Sequence, residues 1–434
     1  MSPGFNKSFF TGNFVSVTYD AISQILGLVW IVLLTKSLGP EGYGVYGYAM
    51  AVLTIILVFS EAGLPMLVMR EVASAQSKAD WGLLRGLVFR SIQVALFLSI
   101  FIYIFGLTIL NSFDLLQSNH NATFYYMLLI IPIATLYKLI TYLFSGLQYR
   151  LTGRFLDVVL RPILVLILVF TSLELTSPQA AILVQLLSAA VALFISVFVL
   201  KHLIPRNFFG IEAKYKNKEW LKSLLPFTFI SASTILSTQT DLIMIAWILP
   251  MEDVGIYRTA VHLSTMASFG LIAINGFIAP RIAFLYAQKN MQEMQEMVTF
   301  SAKLITAIAT LISLVFIFMG EMIIKLLFGG DFIEGVSVLN ILIFGQVFNA
   351  FFGSVGFLLN MTNNESYSAR ILLFSTVINI GLNIIMIPVY GIEGAAYASV
   401  VSVIFWNIFL YKAVVSKLKI NPFFFNISRK NIYE

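Results

Sequence analysis

Twelve stretches of this 434-residue chain are apolar and long enough to cross a bilayer. A spanning helix takes about 20 mostly apolar residues. Such runs lie near 12–34, 44–68, 88–112, 124–148, 154–173, 178–200, 223–249, 254–280, 299–319, 335–360, 370–388 and 395–415. Composition points the same way: 59% of residues are hydrophobic and only 11% are charged, where a soluble domain carries roughly 25% charge. Mean hydropathy is +0.91. The expected fold is all-α and integral to a membrane, with about twelve transmembrane helices.

The chain also repeats itself. Gly39-Pro40-Glu41-Gly42-Tyr43-Gly44-Val45-Tyr46 and Pro250-Met251-Glu252-Asp253-Val254-Gly255-Ile256-Tyr257 each sit where one apolar run gives way to the next. A shift of 211 positions carries Glu41 onto Glu252, Gly44 onto Gly255, Tyr46 onto Tyr257 and Ala49 onto Ala260. It also carries Asp20 to Ser231, Ser23 to Thr234, Arg70 to Arg281 and Lys138 to Asn349. That offset is close to half the chain, so the sequence reads as two homologous halves. Six spans per half is an even number, which makes the repeat parallel, a pseudo-twofold about the membrane normal. The expected domains are a six-helix lobe over 1–200, a basic linker over 201–222, a second six-helix lobe over 223–417 and a tail over 418–434.

Charge sets the expected orientation. With the N-terminus inside, the inner segments hold 21 of the 27 Lys and Arg residues, among them Lys7, Arg70, Lys78, Arg85, Lys201, Arg206, Lys214, Arg429 and Lys430. The outer connections hold only Lys36 and Lys325, against acids such as Glu41, Asp114, Glu252 and Asp331. The positive-inside rule then places both termini in the cytoplasm of a cell whose inner membrane the chain spans. The net charge of +6 reads as cationic loops at a membrane surface rather than as a nucleic-acid footprint. With one cation, Lys7, and no small-residue cleavage site ahead of the first span, no cleaved signal peptide is expected.

Several chemistries find no residues to carry them. There is no cysteine, hence no disulfide, thiol nucleophile or cysteine metal site. His120, His202 and His262 are scattered without metal-ligand spacing. Neither a phosphate-binding G-x-x-x-x-G-K-[ST] nor an H-E-x-x-H occurs, and no cofactor is expected. The longest outer connection, around Gly320–Glu334, is read as about 15 residues, too short to hold the catalytic groups of an enzyme acting on an exposed substrate. Gly329-Gly330-Asp331 reads as a turn at a helix end.

Polar groups inside the spans carry the information, because they are costly there and tend to face a bundle interior or a watery cavity. Lys138 sits near the middle of the fourth span and has no acidic partner on its own helix. Arg258 lies one turn inside the eighth, and Arg161 follows Asp157 by one turn in the fifth. Asp157 and Arg161 read as an i,i+4 pair or as cavity groups, and Arg90 as a residue snorkelling to the surface. Asp20, Glu61 and Asp241 are the candidate ion-coupling carboxylates. Glu61 could equally cap a packing contact, and Asp241 could simply neutralise Arg258. In the first span Asn13, Ser16, Asp20, Ser23 and Gln24 recur at spacings of three and four, as do Ser231, Thr234, Thr238 and Asp241 in the seventh. Each set forms one polar helix face, and the two faces are expected to border a central cavity. Tyr257, His262 and Asn349 complete the polar lining, with packing roles as the alternative for His262 and Asn349.

Ser37-Leu38-Gly39-Pro40-Glu41-Gly42-Tyr43-Gly44, Gly63-Leu64-Pro65 and Arg70-Glu71 resemble the N-terminal pattern of Wzx-type polysaccharide and O-antigen flippases. Glu252, Gly255, Tyr257, Ala260, Pro280 and Gly391-Ile392-Glu393-Gly394-Ala395-Ala396 extend the resemblance over nearly the whole chain. The wider superfamily takes in multidrug and oligosaccharidyl-lipid exporters. The resemblance implies a MATE-like, V-shaped, two-lobed transporter working by alternating access. Its substrate would be an undecaprenyl-pyrophosphate-linked oligosaccharide, and its partners the membrane, a polysaccharide polymerase and the chain-length machinery. Lys138, Arg258 and Arg161 would meet the pyrophosphate, since negative charge in a low-dielectric cavity demands cations. The runner-up is a cation-coupled multidrug exporter of the same fold. A membrane-bound glycan polymerase would show a large outer loop with paired carboxylates or arginines.

Overall fold

A computed structural model describes the backbone of residues 3–112, 121–171, 175–204 and 210–424, with side chains from Gly12 onward other than those of residues 13, 121 and 230. Lys7, Asn13, Asp114, His120, Arg206, Arg429 and Lys430 lie outside the described residues or side chains. Among the described residues there is no strand. Helices α1 (Pro3–Glu61), α2 (Leu64–Ser77), α3 (Trp81–Ser112), α4 (Asn121–Gly146), α5 (Arg150–Phe155), α6 (Arg161–Thr171) and α7 (Pro178–Leu203) make up the first half. The second holds α8 (Asn217–Ile248), α9 (Met251–Met266), α10 (Phe269–Ala287), α11 (Met291–Leu327), α12 (Gly335–Phe352), α13 (Val355–Met361) and α14 (Glu365–Leu418). In lipid only internal hydrogen bonding can satisfy the backbone, so a chain this apolar is left with helices.

Nine of these helices, among the described residues, are long and apolar enough to cross a membrane. Two, α1 with 59 residues and α14 with 54, are twice the needed length. Each breaks once, at Gly39 (φ 66°, ψ −177°) and at Gly391 (φ 59°, ψ −140°). These conformations are nearly closed to residues with a Cβ, which is why glycine stands at the two turns. Other spans are interrupted as well. The fifth is assembled from α5, a π-helical turn over Leu156–Leu160, and α6. The eighth is α9 followed by α10, and the tenth is α12 followed by α13 across Gly353. So assembled, the helices give six spans in each half.

Two span ends differ from expectation. The second span bends at Ala62–Gly63, and α2 carries on to Ser77. Helix α11 runs to Leu327, well past the expected end near 319. The outer connection expected to hold about 15 residues is therefore only the short 3-10 segment around Gly330–Phe332 with its flanks. The apolar period simply continues through Ile323, Ile324 and Leu326, and Glu321 and Lys325 are tolerated because their side chains are exposed.

The chain packs as two compact units, Met1–Ile235 and Leu236–Glu434, with the boundary inside α8. In the first, α4 is central, flanked by α1, α2, α3 and α7. Leu64, Leu67, Val68 and Val72 of α2, Leu84 and Leu87 of α3, Leu139 and Leu143 of α4, and Trp220 of α8 form one buried cluster. In the second, α12 packs on α9, α11 and α14, and a core around Ile282, Val298, Leu358, Leu410 and Val414 continues into aromatic contacts of Phe423 with Phe352 and Tyr411.

Candidate functional site

The polar groups of the first unit converge on α4. Glu61, the last residue of α1, is buried, and its Oε2 lies 2.8 Å from Lys138 Nζ. Beside this pair Ser60, next to Glu61, and Thr135, one turn before Lys138, share a hydrogen bond of 2.7 Å. The acidic partner of Lys138 therefore comes from another helix, which spacing along the fourth span could not show. The pair is lopsided: the Lys138 side chain keeps 44% of its surface exposed, against 6% for Glu61.

A second acid joins from the π-helical turn. This turn carries one residue more than an α-helical turn and so re-aims its side chains, a device frequent at functional sites. The Arg161 N–H closes the turn on the Leu156 carbonyl, which also accepts the Tyr137 hydroxyl at 2.7 Å. Tyr137 precedes Lys138 on α4, so the turn and the lysine are tied together. Asp157, on the turn, is exposed and feels the charges of Arg161, Lys138 and Arg154. Arg154 in turn pairs with Asp20 of α1 at 2.5 Å. Arg161 donates to Gln185 at 3.3 Å, and Gln185 donates to the Tyr46 hydroxyl at 3.3 Å. Three cations and three carboxylates thus form one charge-balanced group drawn from α1, α4, α5, the π turn and α6. Asp20 is placed as the partner of Arg154, and the hydrogen bond of Arg161 goes to Gln185. Arg154, Tyr137 and Gln185 belong to this group but were missed. Arg154 stands at the very start of the fifth apolar run, and nothing in the sequence brings Tyr137 to Leu156.

The second unit gathers around one carboxylate. Asp241 of α8 accepts hydrogen bonds from the Tyr257 hydroxyl at 2.8 Å, from Asn383 Nδ2 at 2.7 Å and from the Ser399 hydroxyl. Asn383 also donates to Asn379 at 3.1 Å, and its buried Oδ1 has no hydrogen-bond partner. Three neutral donors therefore hold Asp241. Tyr257 is buried, so its ring packs and its hydroxyl holds Asp241. Arg258 and His262 stand one turn apart on α9 and interact electrostatically. Asn349 accepts from Asn407 at 3.0 Å. Gln24, Thr234 and Thr238 are exposed, and Ser23 and Ser231 are half-buried. Among the described residues no cluster of three or more His, Asp or Glu could hold a metal ion.

The internal repeat reappears as a contact. The Trp30 indole N–H donates to the Tyr46 hydroxyl at 3.3 Å. Adding 211 to 30 and to 46 gives 241 and 257, the Asp241–Tyr257 pair. The same two positions touch in both halves, with different chemistry.

Comparison with known proteins places this arrangement. The profile of the polysaccharide biosynthesis protein family matches residues 9–285, and the MatE profile matches residues 226–385. A capsular polysaccharide biosynthesis protein, CapF, of Staphylococcus aureus is 23% identical over 406 residues, covering 90% of this chain and 94% of its own. A probable low-salt glycan biosynthesis flippase, Agl15, of Haloferax volcanii is 27% identical over 165 residues, covering 37% of this chain and 34% of its own. Among solved structures, a multidrug resistance MATE family transporter of the MOP superfamily superposes with a TM-score of 0.76 at 17% identity, over 94% of this chain and 99% of that one. The lipid II flippase MurJ superposes with a TM-score of 0.74 at 16% identity, over 92% and 87%. The fold is that of the MOP transporters, all-α and multi-pass.

Proposed function

Because this chain belongs to the polysaccharide biosynthesis protein family, we propose that it is a flippase for a lipid-linked oligosaccharide. The cargo is an undecaprenyl-pyrophosphate-linked repeat unit, carried by alternating access from the inner to the outer leaflet of the cytoplasmic membrane, with both termini inside. The surface polysaccharide built from it is then polymerised by separate machinery. The observation that carries this reading is Lys138. It lies within a span with a side chain 44% exposed, while the carboxylate that neutralises it is buried. A pyrophosphate is the part of such a cargo that most needs a cation in a low-dielectric site. The relatives named for capsular polysaccharide and glycan biosynthesis support the same cargo.

The charge balance suggests how transport is coupled. Three carboxylates already answer the three cations around Lys138, so an added pyrophosphate must displace one of them. Ion coupling in the second unit runs through Asp241, the carboxylate held by Tyr257, Asn383 and Ser399. The match to the MatE profile favours a second reading, export of cationic drugs, and Lys138 argues against it, since a cationic cargo would be repelled there. Deleting the gene in its native cell tests both. The proposal expects lipid-linked oligosaccharide to accumulate on the cytoplasmic leaflet and the surface polymer to disappear, with Lys138→Ala failing to restore export. Normal polymer together with new sensitivity to cationic dyes would overturn it in favour of drug export. Single repeat units trapped on the outer leaflet would point to a polymerase instead.

A further inference from the structure

At one end of the first unit, helices α3 and α7 both pack on α4 and leave a groove between them. Its floor is Leu139, Ile140 and Leu143 of α4, and Val88, Phe89 and Ile92 of α3 face Val197 and Leu200 of α7. The cavity measures about 240 Å³, below the roughly 300–1,000 Å³ that encloses a whole small ligand. Its lining is almost entirely hydrocarbon, so it refuses a sugar or a charged head and admits a length of apolar chain.

Two cations stand where the groove ends. Lys201 is part of its lining and has no ion-pair partner among the described residues. The Arg85 guanidinium lies 5.4 Å from the ring centroid of Phe89, a wall of the groove. Arg85 is fixed there by a hydrogen bond to the Ile211 carbonyl. An apolar slot with a cationic mouth, within a membrane, matches the two ends of an anionic phospholipid. Exposed Phe194 and Phe198 continue the apolar surface along α7, where the rest of the chain can lie.

We propose that this groove is a binding site for an anionic phospholipid of the surrounding bilayer, its acyl chain between α3 and α7 and its phosphate at Lys201 and Arg85. The bound lipid belongs to the leaflet that the basic end faces, and Lys138 and the ionic groups around it do not line the groove. Occupancy fills a void that would otherwise leave α3 and α7 without packing partners along one side. The choice of an anionic headgroup follows from charge: juxtamembrane cations are attracted to anionic lipids by roughly 1 kcal/mol each, whereas a zwitterionic head gains little.

The test is native mass spectrometry of the delipidated full-length protein, titrated with phosphatidylglycerol or phosphatidylcholine of identical chains. Phosphatidylglycerol is expected to bind several-fold more tightly. Lys201→Glu should erase that preference while leaving chain-driven binding in place. Val197→Trp, at a position already half open to the surroundings, should weaken both lipids about tenfold, as losing burial of roughly two methylenes would. Equal retention of the two lipids by the unaltered protein, or retention unaffected by Val197→Trp, would overturn the proposal. A second competition uses a polyprenyl phosphate. If Val197→Trp loses that lipid and keeps phosphatidylglycerol, the groove serves the transported cargo and the proposal fails, with the flippase reading left intact.

Discussion

The Lys138–Glu61 pair makes a quantitative claim about the first unit. At 2.8 Å the attraction is about 6 kcal/mol with the effective dielectric of about 20 that suits protein sites. Much of that repays desolvation of the carboxylate. Removing one partner of a buried pair costs about 3–5 kcal/mol, because the other charge is stranded. Here the ammonium is 44% exposed, so Lys138→Ala should cost less, about 2–3 kcal/mol. For a unit of some 200 residues melting on its own, that is a fall in midpoint of roughly 4–12 °C. Glu61→Gln should cost less than Lys138→Ala, since the lysine left behind can reach water. The double variant Lys138→Ala/Glu61→Gln buries no lone charge and should regain most of the midpoint. Thermal unfolding of the four purified proteins in one detergent measures the cycle. A midpoint unmoved by Lys138→Ala, or a double variant no better than the single, would refute the pairing energetics. The double variant also separates stability from transport: it should remain unable to export the polysaccharide precursor, because the cation is still missing.

Asp241→Asn should preserve the fold, since Asn still accepts from Tyr257 and Ser399, yet it should abolish the dependence of transport on an imposed ion gradient in vesicles; unchanged gradient dependence would remove Asp241 from the coupling. Gly86→Ala should detach the segment over Ile211–Lys216 from α3, because a Cβ there would stand 1.9 Å from the Lys214 carbonyl oxygen. Tryptic cleavage after Lys214 and Lys216 should then accelerate by about tenfold or more, the equivalent of the 1–3 kcal/mol that overpacking usually costs; an unchanged rate would count against the docked segment. The same segment should be sensitive to pH. Asp80 caps α3 by accepting the Leu83 N–H at 3.1 Å, and it meets Lys214 Nζ at 3.3 Å. These contacts, the Leu83 bond first, hold its carboxyl below the ordinary value of 3.8. A lowered native value means that the stabilisation is complete above the ordinary value and fades as pH falls through the lowered one. Hydrogen-exchange protection of the Lys214 amide, which bonds to the Gly82 carbonyl at 2.9 Å, should follow that course and lose its pH dependence in Asp80→Asn.

The spans were legible because length and apolarity report directly on the bilayer, and the turns at Gly39 and Gly391 because backbone that excludes a Cβ leaves glycine in the sequence. Interruptions were harder. A π-helical turn at Leu156–Leu160 removes no apolar residue and adds no proline, so the fifth span looked continuous. The end of α11 was misjudged because Glu321 and Lys325 resemble a loop when read one by one, although both point away from the core of a helix that continues. For the site, the sequence could mark Lys138, Glu61, Asp20 and Asp241 as costly in lipid. It could not say which of them meet, since each bond joins residues from different helices. Glu61 and Lys138 are 77 positions apart and Asp241 and Asn383 are 142. Tyr257, expected in the polar lining, is a buried ring whose hydroxyl donates to Asp241.

The repeat shows where the two halves parted. Position 30 and its equivalent 241 touch position 46 and its equivalent 257 in both, so the backbone frame has been kept. In the first half the pair is Trp30 and Tyr46, and the neighbouring helices supply ionic groups: Lys138, Arg154, Arg161 and three carboxylates. In the second half the tryptophan is replaced by Asp241, and the lysine by Asn349. Charge is thus gathered around Lys138 in the first half, whereas in the second Asp241 is held by neutral donors, and Arg258 stands one turn from His262 on α9. On the proposed reading, a coupling cation would be repelled beside Lys138 and a pyrophosphate beside Asp241. Two copies of one frame, each free to change its polar residues, can meet those two demands, and the carboxylate of Asp241 and the ammonium of Lys138 are the substitutions that distinguish them.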